Sequence, residues 1–360
     1  MLKLVILIIY FAVLIGIGLY CRKHATDVNG FVLGGRSVGP WLTAFAYGTS
    51  YFSAVVFVGY AGQFGWKYGI AATWAGIGNA IIGSLLAWVV LGRRTRIMSQ
   101  HLDSATMPQY FGKRFGSNPL KIGASVIIFI FLIPYTASLY NGLSRLFGMA
   151  FNIDYSVCII IMATLTAIYV IAGGYMATAI NDFIQGIIML FGIIAVIAAV
   201  IHSKGGFMSA LQGLANVSDP AVSNTPGIFA SFFGPDPFNL LCVVILTSLG
   251  TWGLPQMVQK FYAIDNEASI QKGTVISTIF ALIVSGGCYF LGGFGRLFSD
   301  QIDVKANGFD SIIPTMLSNL SPALIALVVI LVLSASMSTL SSLVIALSLI
   351  HISEPTRPRL

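Results

Sequence analysis

The sequence predicts an all-α protein that crosses a membrane many times, and three observations lead there. Hydrophobic residues make up 57% and charged residues 9% of the 360 residues, where a soluble domain carries roughly a quarter charged residues. The apolar residues fall into runs of about 17 to 25, the length that spans a bilayer as helix. Two of those runs are interrupted by glycine, proline and hydroxyl residues at corresponding places in the chain.

About nine transmembrane helices are expected, over 4–20, 39–66, 70–92, 120–148, 154–173, 182–202, 237–259, 273–295 and 321–350. The first, LVILIIYFAVLIGIGLY, has no basic region beyond Lys3 and no small-x-small cleavage site before Cys21, so it reads as a helix rather than a secretory signal. Cys21, Cys158, Cys242 and Cys288 are scattered among different spans without paired spacing, which points to packing residues, not a disulfide framework or zinc site. The Gly-, Ser- and Pro-rich stretch 203–236 reads as a loop with a short helix at FMSALQGLAN, and 93–119 is the other sizeable connection.

The net charge is +7, and its distribution assigns it to topology. With the N-terminus outside, the inner connections hold eleven basic residues (Arg22, Lys23, Arg36, Arg93, Arg94, Arg96, Lys113, Arg114, Lys121, Lys260, Lys272) and the outer ones six (Lys3, Lys67, Arg145, Lys204, Arg296, Lys305). An excess of Lys and Arg marks the cytoplasmic side, so the basicity calls for a lipid bilayer and no nucleic acid. His24, His101, His202 and His351 sit at edges or in loops; with no His, Cys or paired-acid cluster inside the spans, an enzyme is not expected and no organic cofactor is implied.

The second span carries AYGTSYFSAVVFVGYAG, with Gly48, Thr49, Ser50, Tyr51 and Ser53 in mid-membrane, and the seventh carries SLGTWGLPQ, with Gly250, Gly253 and Pro255. Proline removes a backbone donor and glycine lowers the cost of unwinding, so both helices are expected to break. Irregular backbone at membrane depth survives only where protein buries it or where it lines a cavity. With the first helix set aside, these are the first and sixth spans of the remainder, as in two five-helix units repeated with inverted topology, a pattern that marks a transporter's binding site. Two merely kinked helices are the plainer reading.

The last span holds LSASMSTLSSLVIALS, which places Ser334, Ser338, Ser341 and Ser342 on one helical face with Thr339 beside them. Such a ladder of oxygens suits a hard cation such as sodium, and it equally suits close helix packing. Asp182 is the one carboxylate inside an apolar span, where an acid costs about 2.5–3.5 kcal/mol at a helix centre. Beside Ser341 and Ser342 it would form a second cation site; as a cap for a helix beginning near Asn181 it would satisfy orphan N–H groups.

Four motifs, GYAGQFGWKYG, AIYVIAGGYMATAINDFIQG, GLPQMVQKFYA and SASMSTLSS, resemble those of the sodium/solute symporters, which share the LeuT-type inverted-repeat fold. The resemblance covers residues 1–350, with the second repeat incomplete. It implies a first sodium site made of the carbonyls of Thr49, Phe52 and Ala335 and the hydroxyls of Ser338 and Thr339. It implies a possible second one from Asp182, Ser338, Ser341 and Ser342. Substrate residues transfer poorly. Proline-specific members carry an acid at the position of Tyr51 and aromatics at Thr247 and Thr251, and sugar carriers show Asn and Tyr near Ser248 and Thr251; neither pattern is present. A small pocket of Ser53, Phe57, Thr247, Ser248, Thr251 and Trp252 is expected to take a small organic solute: an amino acid, a carboxylate or a pantothenate-like acid.

The expected function is therefore secondary active transport: sodium-coupled uptake across the plasma (inner) membrane by alternating access, by a monomeric transport unit with Na+ as coupling ion. Rival readings are a proton-coupled transporter that titrates Asp182, a passive channel, and a transporter-like sensor module. Family members continue for further helices, whereas residues 351–360, HISEPTRPRL, leave the apolar pattern and are expected to be a non-native tail on a truncated fragment.

Overall fold

Residues 2–22, 28–151 and 154–353 are described in a computed structural model of the chain. In lipid an apolar segment satisfies its N–H and C=O groups along its own axis, and each of the nine expected stretches is helical. Helix α1 is Leu2–Cys21. The second stretch is split into α2, Pro40–Tyr51, and α3, 55–68. Helix α4 runs over 73–101 and α5 over Asn118–Phe151. The chain is then helical from Tyr155 to Ser203 except at Gly174, giving α6 (155–173) and α7 (175–203). The seventh stretch is again split, into α8, Pro237–Leu249, and α9, Pro255–Ala263. Helices α10, Glu267–Gly293, and α11, Pro322–Ser353, complete the set.

By length and apolarity five helices among the described residues qualify as spans, one of them, Val55–His101, holding α3 and α4 together. The bent pair α8–α9 makes a sixth. Two shorter apolar helices, Val5–Cys21 and Ile159–Ile168, occupy the first and fifth expected places, and α2 supplies the first half of the second.

Local chemistry sets the ends. Pro40 and Pro255 open α2 and α9, where the missing N–H costs nothing. Asp236 caps α8 by accepting from Asn239 N at 3.0 Å, and Asn266 caps α10 by accepting from Ser269 N at 2.8 Å. The side-chain and backbone N–H groups of Asn239 hold the Asp236 carboxyl below its ordinary range. The loop helix expected at FMSALQGLAN is present as Phe207–Ala215.

Small residues and hydroxyls hold the bundle together, as expected where lipid offers no hydrophobic drive between helices. A Cβ on Gly65 of α3 would lie 2.0 Å from Gly292 O of α10, so these backbones touch. Ser84 of α4 and Ser277 of α10 pair at 2.8 Å. Thr166 of α6 reaches Met337 of α11 at 3.3 Å. Gln185 of α7 donates to Tyr10 of α1 at 2.9 Å. The outer faces carry exposed apolar residues such as Ile8, Phe131, Ile171 and Phe191.

Three sequence expectations change. Asp182 lies inside α7, about two turns beyond its start, because the helix begins directly after the kink at Gly174; it is not a cap. Lys260, expected in an inner connection, is 1% exposed on α9. Cys242, expected to pack, is exposed on α8, while Cys21 and Cys288 are buried; the side chain of Cys158 lies outside the described residues. Of the expected tail, 351–353 continue α11 and 354–360 lie outside the described residues.

Gly174 has φ 58° and ψ −150°, a conformation close to the glycine-only region, and a Cβ there would sit 2.6 Å from Phe31 O. Gly174→Ala is expected to destabilise the protein by about 1–3 kcal/mol, read as a lower thermal midpoint in detergent; an unchanged midpoint would show that the kink tolerates a side chain.

Candidate functional site

Helix α2 closes with Phe52 N donating to Gly48 O at 3.1 Å. Phe52 then leaves the helical path, with φ −104° and ψ 86°, and the chain restarts when Val56 N and Phe57 N donate to Ser53 O at 3.0 and 3.1 Å. At the second break, α8 passes through Gly250–Gly253 and an extended Leu254 before α9 begins, with a bend of 54°. The two breaks face each other: Tyr51 OH donates to Thr247 O at 2.9 Å.

Four of the five residues expected around a first sodium ion converge where α11 passes the end of α2. Ser338 Oγ lies 3.2 Å from both Thr49 O and Ala335 O. Thr339 Oγ1 lies 3.3 Å from Thr49 O, 3.4 Å from Ser50 O and 3.1 Å from Ala335 O. All five residues are buried. Oxygens about 3.3–3.7 Å apart are neighbouring ligands around one hard cation when each lies about 2.3–2.6 Å from it. A hydroxyl can turn its proton away and offer a lone pair. Phe52, the fifth, is buried at the break itself.

The second expected set does not close. Ser341 Oγ donates back to Ser338 O at 2.9 Å. Between Asp182 and Ser342 stands the Lys260 ammonium, 3.6 Å from Asp182 Oδ2 and 2.9 Å from Ser342 Oγ, and 5.1 Å from the centre of the Tyr175 ring. Ser342 Oγ in turn lies 2.9 Å from Ser50 Oγ. Sequence reading missed Lys260 because a basic residue near a span end looks like a topology signal. The sequence held no register signal for it: α9 is nine residues long, and only the structure shows Gln256 through Ala263, Lys260 among them, to be buried.

Beside the breaks lies a cavity of about 290 Å³. Both breaks line it, through Tyr51, Ser53, Val55 and Val56 on one side and Leu246, Thr247, Gly250, Thr251 and Leu254 on the other. Of the six expected solute residues, Ser53, Thr247 and Thr251 are in its wall. Ser248 is buried behind it, donating to Asn79 Oδ1 at 3.1 Å. Phe57 and Trp252 are not part of the wall; Trp252 instead donates to Ile82 O at 3.0 Å. Sequence reading missed Asn79, Tyr60, Tyr135 and Tyr289, which do line it. Asn79 is its polar anchor, accepting from Thr247 at 3.1 Å and donating to Ser285 at 3.2 Å.

The two ends of the bundle are closed by arginines. Arg96 binds Ile264 O at 3.0 Å and Asp265 O, and Arg36 binds Ser104 O at 2.9 Å. At the opposite end Arg296 binds Trp66 O at 2.6 Å and Asp219 at 2.9 Å, 3.9 Å from the Phe229 ring centre.

Two helices broken at matched places around one cavity, with a cluster of hydroxyls and carbonyls beside the first break, define a secondary transporter of the inverted-repeat class. A sequence model of the sodium:solute symporter family matches residues 31–353, and the chain belongs to that family; it is a transporter, not an enzyme. Similar proteins include the osmoregulated proline transporter OpuE of Bacillus subtilis, 28% identical over 338 residues, which cover 93% of this chain and 67% of that protein. The sodium/proline symporter of Staphylococcus aureus is 29% identical over 349 residues, 94% of this chain and 65% of that protein. The chain thus spans about two thirds of the length of these relatives. A Na+-coupled sialic acid symporter in a substrate-bound, outward-open state has the same fold, with TM-score 0.80 at 15% identity over 99% of this chain and 75% of that one.

Asn79→Ala removes the acceptor shared by Thr247 and Ser248. The buried Ser248 hydroxyl would lose its acceptor, at about 1–3 kcal/mol where nothing replaces it, while the half-buried Thr247 hydroxyl would keep Val243 O at 2.9 Å and lose its tie to the opposite wall, so solute affinity is expected to fall about tenfold, measured as KM for uptake, with apparent sodium affinity changed less. Equal loss of both would mean that Asn79 serves the fold, not the pocket.

Proposed function

We propose that the protein is a sodium-coupled symporter that moves a small organic solute into the cell by alternating access. The observation that carries this reading is the convergence of Ser338, Thr339 and Ala335 of α11 on the Thr49 and Ser50 carbonyls at the end of α2, beside a cavity walled by both helix breaks. Sodium binds there through the carbonyls of Thr49, Phe52 and Ala335 and the hydroxyls of Ser338 and Thr339. An ion held by α11 at one end of the break and a solute held at the other share the same short stretch of backbone, which is what couples them.

The solute is small and carries no net charge that needs a side-chain partner. At about 290 Å³ the cavity is at the low end of the usual range for ligand pockets, about 300–1,000 Å³, and no Asp, Glu, Lys, Arg or His is in its wall. The start of α3 turns a positive dipole end toward it, a match for one carboxylate. Tyr51, Tyr60, Tyr135 and Tyr289 offer ring faces to an ammonium or an apolar ring. A zwitterionic amino acid of proline's size meets both demands, and the proline transporters among its relatives support that choice over a larger acid.

The protein works in the plasma (inner) membrane with its N-terminus outside. With the buried Lys260 removed from the inner count, ten basic residues against six still favour that orientation. The transport unit is a single chain, because both breaks, the cavity and the oxygen cluster lie within it.

Uptake of labelled proline into proteoliposomes holding the full-length protein is expected to depend on sodium. Ser338→Ala or Thr339→Ala should raise the sodium concentration for half-maximal uptake about tenfold, as removal of a ligand worth about 1.5 kcal/mol does. Uptake that ignores sodium would sink the reading, whereas sodium-stimulated uptake of a different solute would change only the substrate.

A further inference from the structure

The place where a second cation was expected already holds one, and it belongs to the protein. Lys260 is 1% exposed, and its Nζ lies 3.6 Å from Asp182 Oδ2 and 2.9 Å from Ser342 Oγ. Asp182 is 0% exposed, and neither of its oxygens accepts a hydrogen bond among the described residues. A carboxylate at that depth needs a counter-charge, and Lys260 is the basic group that the structure sets beside it.

We infer that the Lys260 ammonium is the resident cation of the Asp182–Ser342 site and stands in place of a second sodium ion, so that the protein binds one sodium ion per cycle. This rests on the sodium-coupled reading above. An ammonium and a sodium ion carry the same charge and seek the same oxygens, and one excludes the other. The pair Asp182–Lys260 is neutral, and a sodium ion added beside it would leave an uncompensated positive charge in a buried, low-dielectric place.

The tethered cation also has a position that a free ion would lack. It is carried by α9, the half-helix just after the second break, and it touches α7 through Asp182 and α11 through Ser342. From Ser342 a hydroxyl contact of 2.9 Å leads to Ser50, whose carbonyl accepts from Thr339. Lys260 thereby joins the second break to the sodium ligands beside the first. A free second ion would leave when the site opens; the lysine stays and keeps α9 registered against α7 and α11.

Binding of 22Na+ to the purified full-length protein tests this without any solute. The wild type is expected to bind one sodium ion with a Hill coefficient near one. Lys260→Ala, which frees Asp182 and Ser342, is expected to bind two with a Hill coefficient rising toward two. Adding Asp182→Asn to Lys260→Ala should return the count to one. Two sodium ions on the wild type would overturn the inference even if no Lys260 variant folds. So would a folded Lys260→Ala protein that still binds one. A wild type that binds no sodium at all would instead remove the sodium-coupled reading.

Discussion

A backbone carbonyl in the middle of a bilayer must find a donor, and the architecture turns on how the Thr49 and Ser50 carbonyls find theirs. Helix α2 stops just short of using them, since its last internal bond ends on Gly48 O. The donors come instead from α11, packed across the break with Ser338 and Thr339 at the crossing. An unsatisfied group there costs several kcal/mol, so α11 cannot be removed or rotated without loss of the break. A hydroxyl oxygen can donate to a carbonyl and, turned, offer a lone pair to a cation from the same atom. On the proposed reading the same crossing serves as a structural joint and an ion site, with no change of residues between the two roles.

The features that rest on backbone physics were legible in the sequence. Long apolar runs can only be helix in lipid, so the stretches that span were placed within several residues. Gly250, Gly253 and Pro255 announce a break because no side chain can hide their effect on the chain, and the hydroxyl ladder follows from helical spacing alone. What escaped depends on which face a short helix turns inward. Lys260 occupies a nine-residue half-helix, too short for its polar residues to reveal a buried side, and a lysine near a span end is ordinarily a solvated one. Asn79 escaped for the opposite reason: it lies in a long apolar run, where a lone amide reads as a packing residue until Thr247 and Ser248 are seen to converge on it. Phe57 and Trp252 lie close in sequence to the cavity residues yet are not in its wall: Phe57 follows the first break, which changes the phase of the helix, and Trp252, inside the second break, donates to Ile82 O.

The two arginine clusters add a constraint that the central site does not explain. Arg36 and Arg96 bind carbonyls at the end of α9 and just beyond it, at Tyr262, Ile264 and Asp265, while Val38 pairs with Ala263 and Asp265 through its backbone. Helix C-termini present unpaired carbonyls and a negative dipole end, so guanidinium groups are well placed there. The effect is to fix the far end of the half-helix that carries Lys260. At the other end of the molecule Arg296 ties the loop residue Asp219 to Trp66 near the end of α3. Each half-helix that follows a break is thus anchored at the end away from the cavity.

That arrangement decides where movement is cheap. A rigid half-helix anchored at its outer end can tilt only by changing the backbone angles of the few residues at the break, as hinges do. For α9 those residues are Gly250–Gly253 and Leu254, and they form the cavity wall. Tilting α9 also moves Lys260 relative to Asp182, and separating a buried ion pair costs about 3–5 kcal/mol when one partner is left uncompensated. The half-helix therefore resists tilting until its carbonyl anchors or its ion pair are offset by another contact. On the proposed reading a solute seated against Thr247, Gly250 and Thr251 touches the hinge itself, so solute binding, and not the ion alone, would govern whether α9 moves.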